Sequence, residues 1–264
     1  MDKKGASAAF REYCSHYDTD NVMIRLKVDH TFRVAAMAER IGAAAGADPS
    51  FSWFLGLLHD IGRFEQFRRY STFVDQRSAD HAELGADILF KDGVIESLPV
   101  KELTESVPDW RVIAESAVRL HNKYVLPGDM DHVMKEYCNI LRDADKCDIF
   151  RVIMTEPPYL ERNQRILSGS ADKSMSEASE EVMRFVKEHR CVAKELVKTD
   201  LEGLICQCCM AFELVYPISR DIVSEQGYLN GLLSLPLSNE AMLAQLKLLR
   251  DEINKAWEVS GNAV

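Results

Sequence analysis

Apolar residues in this chain recur at intervals of three and four, and few stretches alternate between apolar and polar residues. Side chains three or four positions apart lie on one face of an α-helix, so this spacing predicts helices and requires no strand. Residues 20–45 are the clearest case, because Leu26, Val34 and Ile41 form one stripe there. His30 lies on the same stripe. The pattern predicts an all-α fold.

Turn and capping signals divide the rest of the chain. Asp48 is a predicted N-cap and Pro49 the first residue of the next helix, which we expect to end at Gly62. Residues 63–77 are expected to form a loop or short helices. Further helices are predicted at about residues 80–92, 110–121, 130–154, 176–198, 200–215 and 239–259.

The composition of residues 156–175 is typical of a linker, because the segment contains Pro157-Pro158 and the run SGSADKS. We therefore expect residues 1–155 to form one core and 156–175 a linker or loop. Residues 176–264 are expected to be a helical extension that packs on the same domain. This extension carries no chemical motif, and we expect it to brace or close over the domain or to form a homodimer interface.

Charge and composition exclude some functions. The net charge is −10, which argues against a protein that binds a nucleic-acid duplex, because such binding needs clustered Lys and Arg. No segment has the apolar run of a signal peptide or membrane span, so we expect a cytoplasmic protein without a membrane partner. The seven cysteines are expected to be free thiols, and those in Cys206-Gln207-Cys208-Cys209 to be core residues.

Histidines and aspartates in or beside the apolar helical stretches are the strongest functional signal. Such groups are costly to bury without partners, and a shared metal centre would account for all of them. Asp145 borders the apolar side of its predicted helix, whereas Asp143 is expected to lie outside it. The candidate metal ligands are His30, His59, Asp60, His81, His121 and Asp145. The remaining histidines, His16, His132 and His189, are assigned no role in the centre.

This pattern resembles the HD-domain superfamily of metal-dependent phosphohydrolases, over about residues 20–155. The match is His30, His59-Asp60 and Asp145 in the family order H, HD, D, with Asp145 in an Ala-Asp-Lys context. His81 and His121 resemble the additional histidines of the binuclear members. The chain departs from the cyclic di-GMP hydrolases of this superfamily, because Asn122 follows His121 and no GYP segment is present.

The resemblance implies an HD-domain helical bundle with two divalent transition-metal ions. Iron or manganese is expected, with zinc, nickel, cobalt or magnesium as alternatives. One ion would be held by His30, His59, Asp60 and Asp145. The other would be held by Asp60, His81 and His121, so that Asp60 bridges the two ions.

The resemblance also implies hydrolysis of a phosphomonoester or a nucleotide phosphodiester by a metal-activated water. The partner would be a small phosphorylated molecule, for instance a nucleotide. Asp60 is a candidate catalytic residue as the bridging ligand, and Arg63 and Lys123 are candidates to bind phosphate or stabilise the leaving group. Each of these two cations could equally be a solvated surface residue.

The segment after the His-Asp pair is locally basic, as a nucleotide or phosphoester pocket would require, and its aromatic residues are expected to pack on the core, with stacking on a base as the alternative. Its residues are Arg68, Arg69, Arg77, Phe64, Phe67, Tyr70 and Phe73. Two alternatives remain. The same ligands occur in HD-fold mixed-valent di-iron oxygenases, and the domain could instead be a non-catalytic module that senses a metal or nucleotide.

Overall fold

The computed structural model describes residues 2–99, 106–168 and 177–261, and the regular elements in these ranges are all helices. The prediction of an all-α fold is confirmed there, because no strand occurs in these ranges. None of the helices in the same ranges combines the length and apolar character that crossing a membrane demands.

The chain divides into two compact units, Met1–Asp145 and Lys146–Val264. The helices of the first are α1 (Lys3–Ser15), α2 (Val22–Ala45), α3 (Pro49–Leu58), α4 (Gly62–Tyr70), α5 (His81–Ala86) and α6 (Trp110–Leu120). Helix α7 (His132–Thr155) contains the boundary between the units. The second unit continues with α8 (Pro157–Ser168), α9 (Glu180–Lys187), α10 (Asp200–Cys208), α11 (Pro217–Gln226), α12 (Tyr228–Leu233) and α13 (Glu240–Gly261).

Helices α2 and α3 pack closely because Gly56 has no side chain. A Cβ atom on Gly56 would lie 2.5 Å from the Cα atom of Ala35, which is closer than two carbon atoms can approach. The prediction for the start of α3 is confirmed, because Asp48 caps it by accepting a hydrogen bond from the amide of Phe51. The contact between Gly56 and Ala35 brings the end of α3 next to the middle of α2.

The predicted end of that helix at Gly62 is wrong. Helix α3 ends at Leu58, a turn follows, and Gly62 begins α4. The reason is a second close approach: a Cβ atom on Gly62 would lie 2.2 Å from the carbonyl oxygen of His81 and 2.5 Å from the amide nitrogen of Gly85. Gly62 is therefore required for the contact between α4 and α5.

Helix α5 begins at His81, as the sequence predicts, and Asp80 is its N-cap. It continues from Asp87 to Lys91 as a π-helix and ends near Gly93. Residues 100–105, within the expected loop before α6, lie outside the described ranges.

The prediction of a linker over residues 156–175 is wrong for its first part, where α8 lies. Pro157-Pro158 indicated a break in the sequence, but proline is well suited to the first turn of a helix, where an amide donor is not needed. Ile166 and Asn163 are buried, so the helix has a packed side. Residues 169–176 lie outside the described ranges.

The second unit contains more and shorter helices than the sequence predicts. One helix was expected over residues 176–198, where the structure has α9 and then a 3₁₀ turn at Lys194–Leu196. Another was expected over residues 200–215, where the structure has α10 and then a 3₁₀ turn at Cys209–Glu213. Helices α11 and α12 were not predicted. Cys208 and Cys209 are buried, as expected, whereas Cys206 is partly exposed, and the seven cysteines, which all lie in the described ranges, form no disulfide.

Candidate metal centre

The six candidate ligands come from five separate segments of the first unit. His30 lies on α2 and Asp145 on α7, whereas His81 is the first residue of α5. His59-Asp60 directly follows α3, and His121 directly follows α6. The four histidines and Asp60 are at most 6% exposed, and the Asp145 side chain is 17% exposed. The fold therefore brings together residues that are up to 115 positions apart, from 30 to 145.

His30, His59, Asp60 and Asp145 form the first group of side chains. The Nε2 atoms of His30 and His59 lie 3.3 Å apart, and each is 3.6 Å from Oδ2 of Asp60. Oδ1 of Asp145 lies 3.1 Å from Nε2 of His30 and 3.7 Å from Nε2 of His59. These distances place four potential donor atoms around one point.

Asp60, His81 and His121 form the second group. The Nε2 atoms of His81 and His121 lie 3.0 Å apart. They are 3.4 and 3.8 Å, respectively, from Oδ1 of Asp60. The two oxygens of the Asp60 carboxylate therefore face different groups, as a carboxylate that bridges two ions must do.

Hydrogen bonds to the far side of three rings determine which nitrogen faces the centre. Nδ1 of His59 donates to the carbonyl oxygen of Gly56 at 2.7 Å, and Nδ1 of His121 donates to that of Val118 at 2.7 Å. Nδ1 of His81 donates to the Asp75 carboxylate at 2.8 Å. In the neutral form of each ring, Nε2 then carries a lone pair directed at the other ligands.

The residues present fit divalent ions. Two such nitrogen lone pairs facing each other at 3.0 Å, as in His81 and His121, need a cation or proton between them. For metal–nitrogen bonds of about 2.0–2.1 Å, two ligands at a right angle are about 3 Å apart, which matches this spacing. A mixed set of imidazoles and carboxylates suits iron, manganese or zinc better than magnesium alone.

Burial and charge set the protonation of the centre. Burial lowers the pKa of His81 and of His121 from 6.5 to about 4, and it also lowers the pKa of His59. Burial opposes ionisation of Asp60, but the positive charges of Lys27 and Arg63 outweigh it and hold the pKa of Asp60 well below 3.8. Neutral imidazoles and ionised carboxylates are the forms that bind metals.

Two cations flank Asp60, and the sequence predicted only one of them. Arg63 Nε lies 3.4 Å from Oδ1 of Asp60, and Lys27 Nζ lies 2.7 Å from Oδ2. Both cations also contact the ring of Phe73, at 5.8 and 5.5 Å from its centroid. Lys27 precedes His30 by three positions and so lies on the same helical face, which is the signal that could have identified it.

The other cations of interest are engaged by carboxylates outside the ligand set. Lys123 Nζ lies 2.6 Å from Asp80 and 3.6 Å from Glu83, and none of the six candidate ligands is among its ion-pair partners. Arg68 and Arg69, which lie on α4, both pair with Glu65, at 2.6 and 2.5 Å.

The sequence predicts no role for Asp75 and places Asp143 outside the core, and the structure differs on both points. Asp75, which was not predicted, accepts hydrogen bonds from His81, Arg63 and Gln66. Asp143 is fully buried and does not lie outside the core. The reason is that all residues from Ile140 to Ala144 are buried, so α7 is covered on every side at this level.

A comparison with known protein families identifies a domain that contains the candidate ligands. Residues 28–149 match the family model described as HD domain, and this range includes all six candidate ligands. Neither the curated proteins nor the solved structures compared with the chain gave a match. Residues 28–149 of this chain therefore form an HD domain.

Proposed function

We propose that the six residues hold two divalent transition-metal ions and that the protein is a phosphohydrolase acting on a phosphomonoester or a nucleotide phosphodiester. The observation that carries this proposal is the placement of Asp60. Its Oδ2 lies 3.6 Å from Nε2 of both His30 and His59, and its Oδ1 lies 3.4 Å from Nε2 of His81. One carboxylate thus serves two groups of imidazoles.

Divalent ions bound there would polarise a phosphoryl oxygen and lower the pKa of a water molecule. The protein residues have separate tasks. Asp60 would contribute to holding both ions, and Asp145 would add an oxygen ligand to the group that contains His30. The hydrogen bonds at Nδ1 of His59, His81 and His121 keep each ring in one orientation, which maintains the ligand geometry.

Lys27 and Arg63 support a phosphorylated substrate. Their side chains are only 14% and 15% exposed, and both lie beside Asp60. Positive charge in such a partly buried position is effective in binding an anion, because solvent screens it little. We assign the phosphate-binding role to these two residues. Lys123 is a weaker candidate, because its side chain is 34% exposed and its ammonium group pairs with Asp80, outside the six candidate ligands.

The oxygenase alternative uses the same ligands, so the reaction must be measured directly. Protein purified without oxygen should be loaded separately with Fe²⁺, Mn²⁺, Zn²⁺, Co²⁺, Ni²⁺ and Mg²⁺. Hydrolysis should then be assayed over a panel of phosphomonoesters, by release of inorganic phosphate, and of nucleotide phosphodiesters, by formation of the monoester product. The control variant His132→Ala removes an exposed imidazole outside the centre and should keep full activity.

Hydrolysis of a phosphoester by at least one metal form, lost in His59→Ala, would support the proposal. Metal-loaded protein that consumes O₂ and hydrolyses no ester of the panel would overturn it in favour of the oxygenase. Tight nucleotide binding without any turnover would overturn it in favour of a sensing module.

A further inference from the structure

The end of α6 requires hydrogen-bond donors from elsewhere in the protein. The helix ends at Leu120, and its last carbonyl groups have no amide partners further along the helix. One hydrogen-bond donor comes from the adjacent turn, where the amide of Lys123 donates to the carbonyl oxygen of Leu120 at 3.2 Å. His121 immediately follows the helix, so the same turn determines where its imidazole lies.

Arg142 provides further donors. Its Nη1 donates to the carbonyl oxygens of Leu120 at 3.2 Å and His121 at 3.3 Å, and also to that of Lys123. Its Nη2 donates to the carbonyl oxygen of Tyr124 at 3.4 Å. A single guanidinium group thus contacts four carbonyl oxygens in the turn that carries His121.

Charge and burial make this contact strong. Arg142 is only 8% exposed, and hydrogen bonds from a charged donor are about twice as strong as those between neutral groups. A positive charge also interacts favourably with the negative end of the helix dipole at the C-terminus of α6. Replacing Arg142 by an apolar residue would leave the buried carbonyl group of His121 and three partly buried carbonyl groups without this donor.

The position of Arg142 relates the two groups of ligands. Arg142 lies on α7, one helical turn before Asp145, which belongs to the first group. Its guanidinium group fixes the backbone of His121, which belongs to the second group. Arg142 therefore connects helix α7, which carries Asp145, to the turn that carries His121.

We propose that Arg142 is a positioning residue that holds His121 in place and so sets the affinity of the second ion, the one bound by Asp60, His81 and His121. This inference rests on the proposed two-ion centre. Loss of groups that orient metal ligands typically weakens metal binding about 10- to 100-fold, so we expect a loss of this size for the second ion. The first ion should be affected much less.

The test compares wild type with Arg142→Met and Arg142→Lys. Metal-free protein is titrated with Mn²⁺ and with Zn²⁺ against a competing chelator, which gives one affinity for each ion. Arg111→Met is the matched control, because Arg111 is a partly exposed cation on α6 that pairs with Glu96 at 2.7 Å. Hydrogen–deuterium exchange over residues 119–124 of the metal-free variants gives a readout that does not depend on metal.

Weaker binding of the second ion with the first retained, together with faster exchange at 119–124, would support the inference. Arg142→Lys keeps the charge but reaches fewer carbonyl groups, so it should give a smaller loss and serves as the test if Arg142→Met does not fold. Two ions bound with wild-type affinity in the variants, or equal weakening of both, would overturn the inference alone. Wild-type protein that binds no metal would overturn the proposed centre as well.

Discussion

The Nε2 atoms of His81 and His121 lie 3.0 Å apart, although each ring already donates a hydrogen bond from Nδ1 to an oxygen. Two neutral imidazoles arranged in this way direct lone pairs at each other, which is unfavourable without a cation between them. Oδ1 of Asp60, 3.4 Å from the His81 nitrogen, adds negative charge at the same point. This arrangement is the physical basis for expecting a divalent ion between these residues.

The metal-free protein should lose stability as the pH falls from about 6.5 towards 4. Burial lowers the pKa of His81 and His121 from 6.5 to about 4, so between these values the unfolded chain binds protons that the folded chain does not. The contribution of the neutral rings to the free energy of unfolding is fully present above pH 6.5. It is lost as the pH falls through the folded-state pKa of about 4. The carboxylates of the centre titrate below this window, because their pKa values are lowered from 3.8.

Urea unfolding of chelator-treated protein at pH 7.5, 6.5, 5.5 and 4.5 measures this dependence. The double variant His81→Gln/His121→Gln should show a shallower fall in unfolding free energy over the same range. A wild-type stability that stays constant from pH 6.5 to 4.5 would contradict the prediction.

Asp75→Asn should weaken binding of the second ion about 10- to 100-fold and leave the first ion nearly unchanged. Asp75 accepts a hydrogen bond from Nδ1 of His81 at 2.8 Å, which orients the ring and makes its Nε2 a better donor. Titration with Zn²⁺ in the presence of a chelator separates the two affinities. Asp92→Asn, which removes an exposed carboxylate from the same unit, is the control. Equal affinities in wild type and Asp75→Asn would rule out this role.

Lys27→Met should raise KM for a phosphorylated substrate about 10- to 100-fold, because a charge-assisted hydrogen bond to phosphate contributes about 1.5–3 kcal/mol. Lys27 lies 2.7 Å from Asp60 yet is no candidate ligand, so the number of bound ions should not change. Steady-state kinetics together with metal analysis check both expectations. Lys135→Met removes an exposed cation from α7 as the control.

Lys123→Met distinguishes the two assignments of the phosphate-binding cation. Its ammonium group is held by Asp80 at 2.6 Å, so this variant should change KM less than Lys27→Met does. A larger effect of Lys123→Met would restore the role that the sequence suggested.

Gly62→Ala should destabilise the protein by about 1–3 kcal/mol, the usual cost of overpacking a tight contact. The added Cβ atom would lie 2.2 Å from the carbonyl oxygen of His81, so α5 must move away from α4. Because His81 begins α5, binding of the second ion should weaken too. Urea unfolding measures the first effect. Gly128→Ala is the control, because nothing lies within 4 Å of a Cβ atom there. Unchanged stability in Gly62→Ala would contradict the packing argument.

The parts of the fold that follow local rules were predictable. The stripe of α2 and the Asp48 cap of α3 depend on residues close in sequence, and both were predicted correctly. Gly62 was predicted wrongly because a glycine that ends a helix and one that permits a close contact look alike in a sequence. The packed partner of Gly62, near His81, is about 20 positions away, and sequence spacing does not report such contacts.

The same distinction applies to the site. The candidate ligands could be selected because each is a polar residue beside an apolar stripe. Lys27 and Asp75 were missed because their roles depend on tertiary contacts, with Asp60 and with His81 respectively. The role of Lys123 stays a prediction, and nothing in the sequence indicates that its ammonium group lies 2.6 Å from Asp80.

The central claim is that Asp60 serves two ions, and metal content per chain tests it most directly. Wild type, Asp60→Ala and His132→Ala should be purified without oxygen or chelator and analysed by plasma mass spectrometry, with circular dichroism to confirm folding. We predict about two transition-metal ions per chain in wild type and His132→Ala, and loss of more than one ion in Asp60→Ala. Full metal occupancy in folded Asp60→Ala, or no metal in wild type after reconstitution with iron, manganese or zinc, would contradict the account.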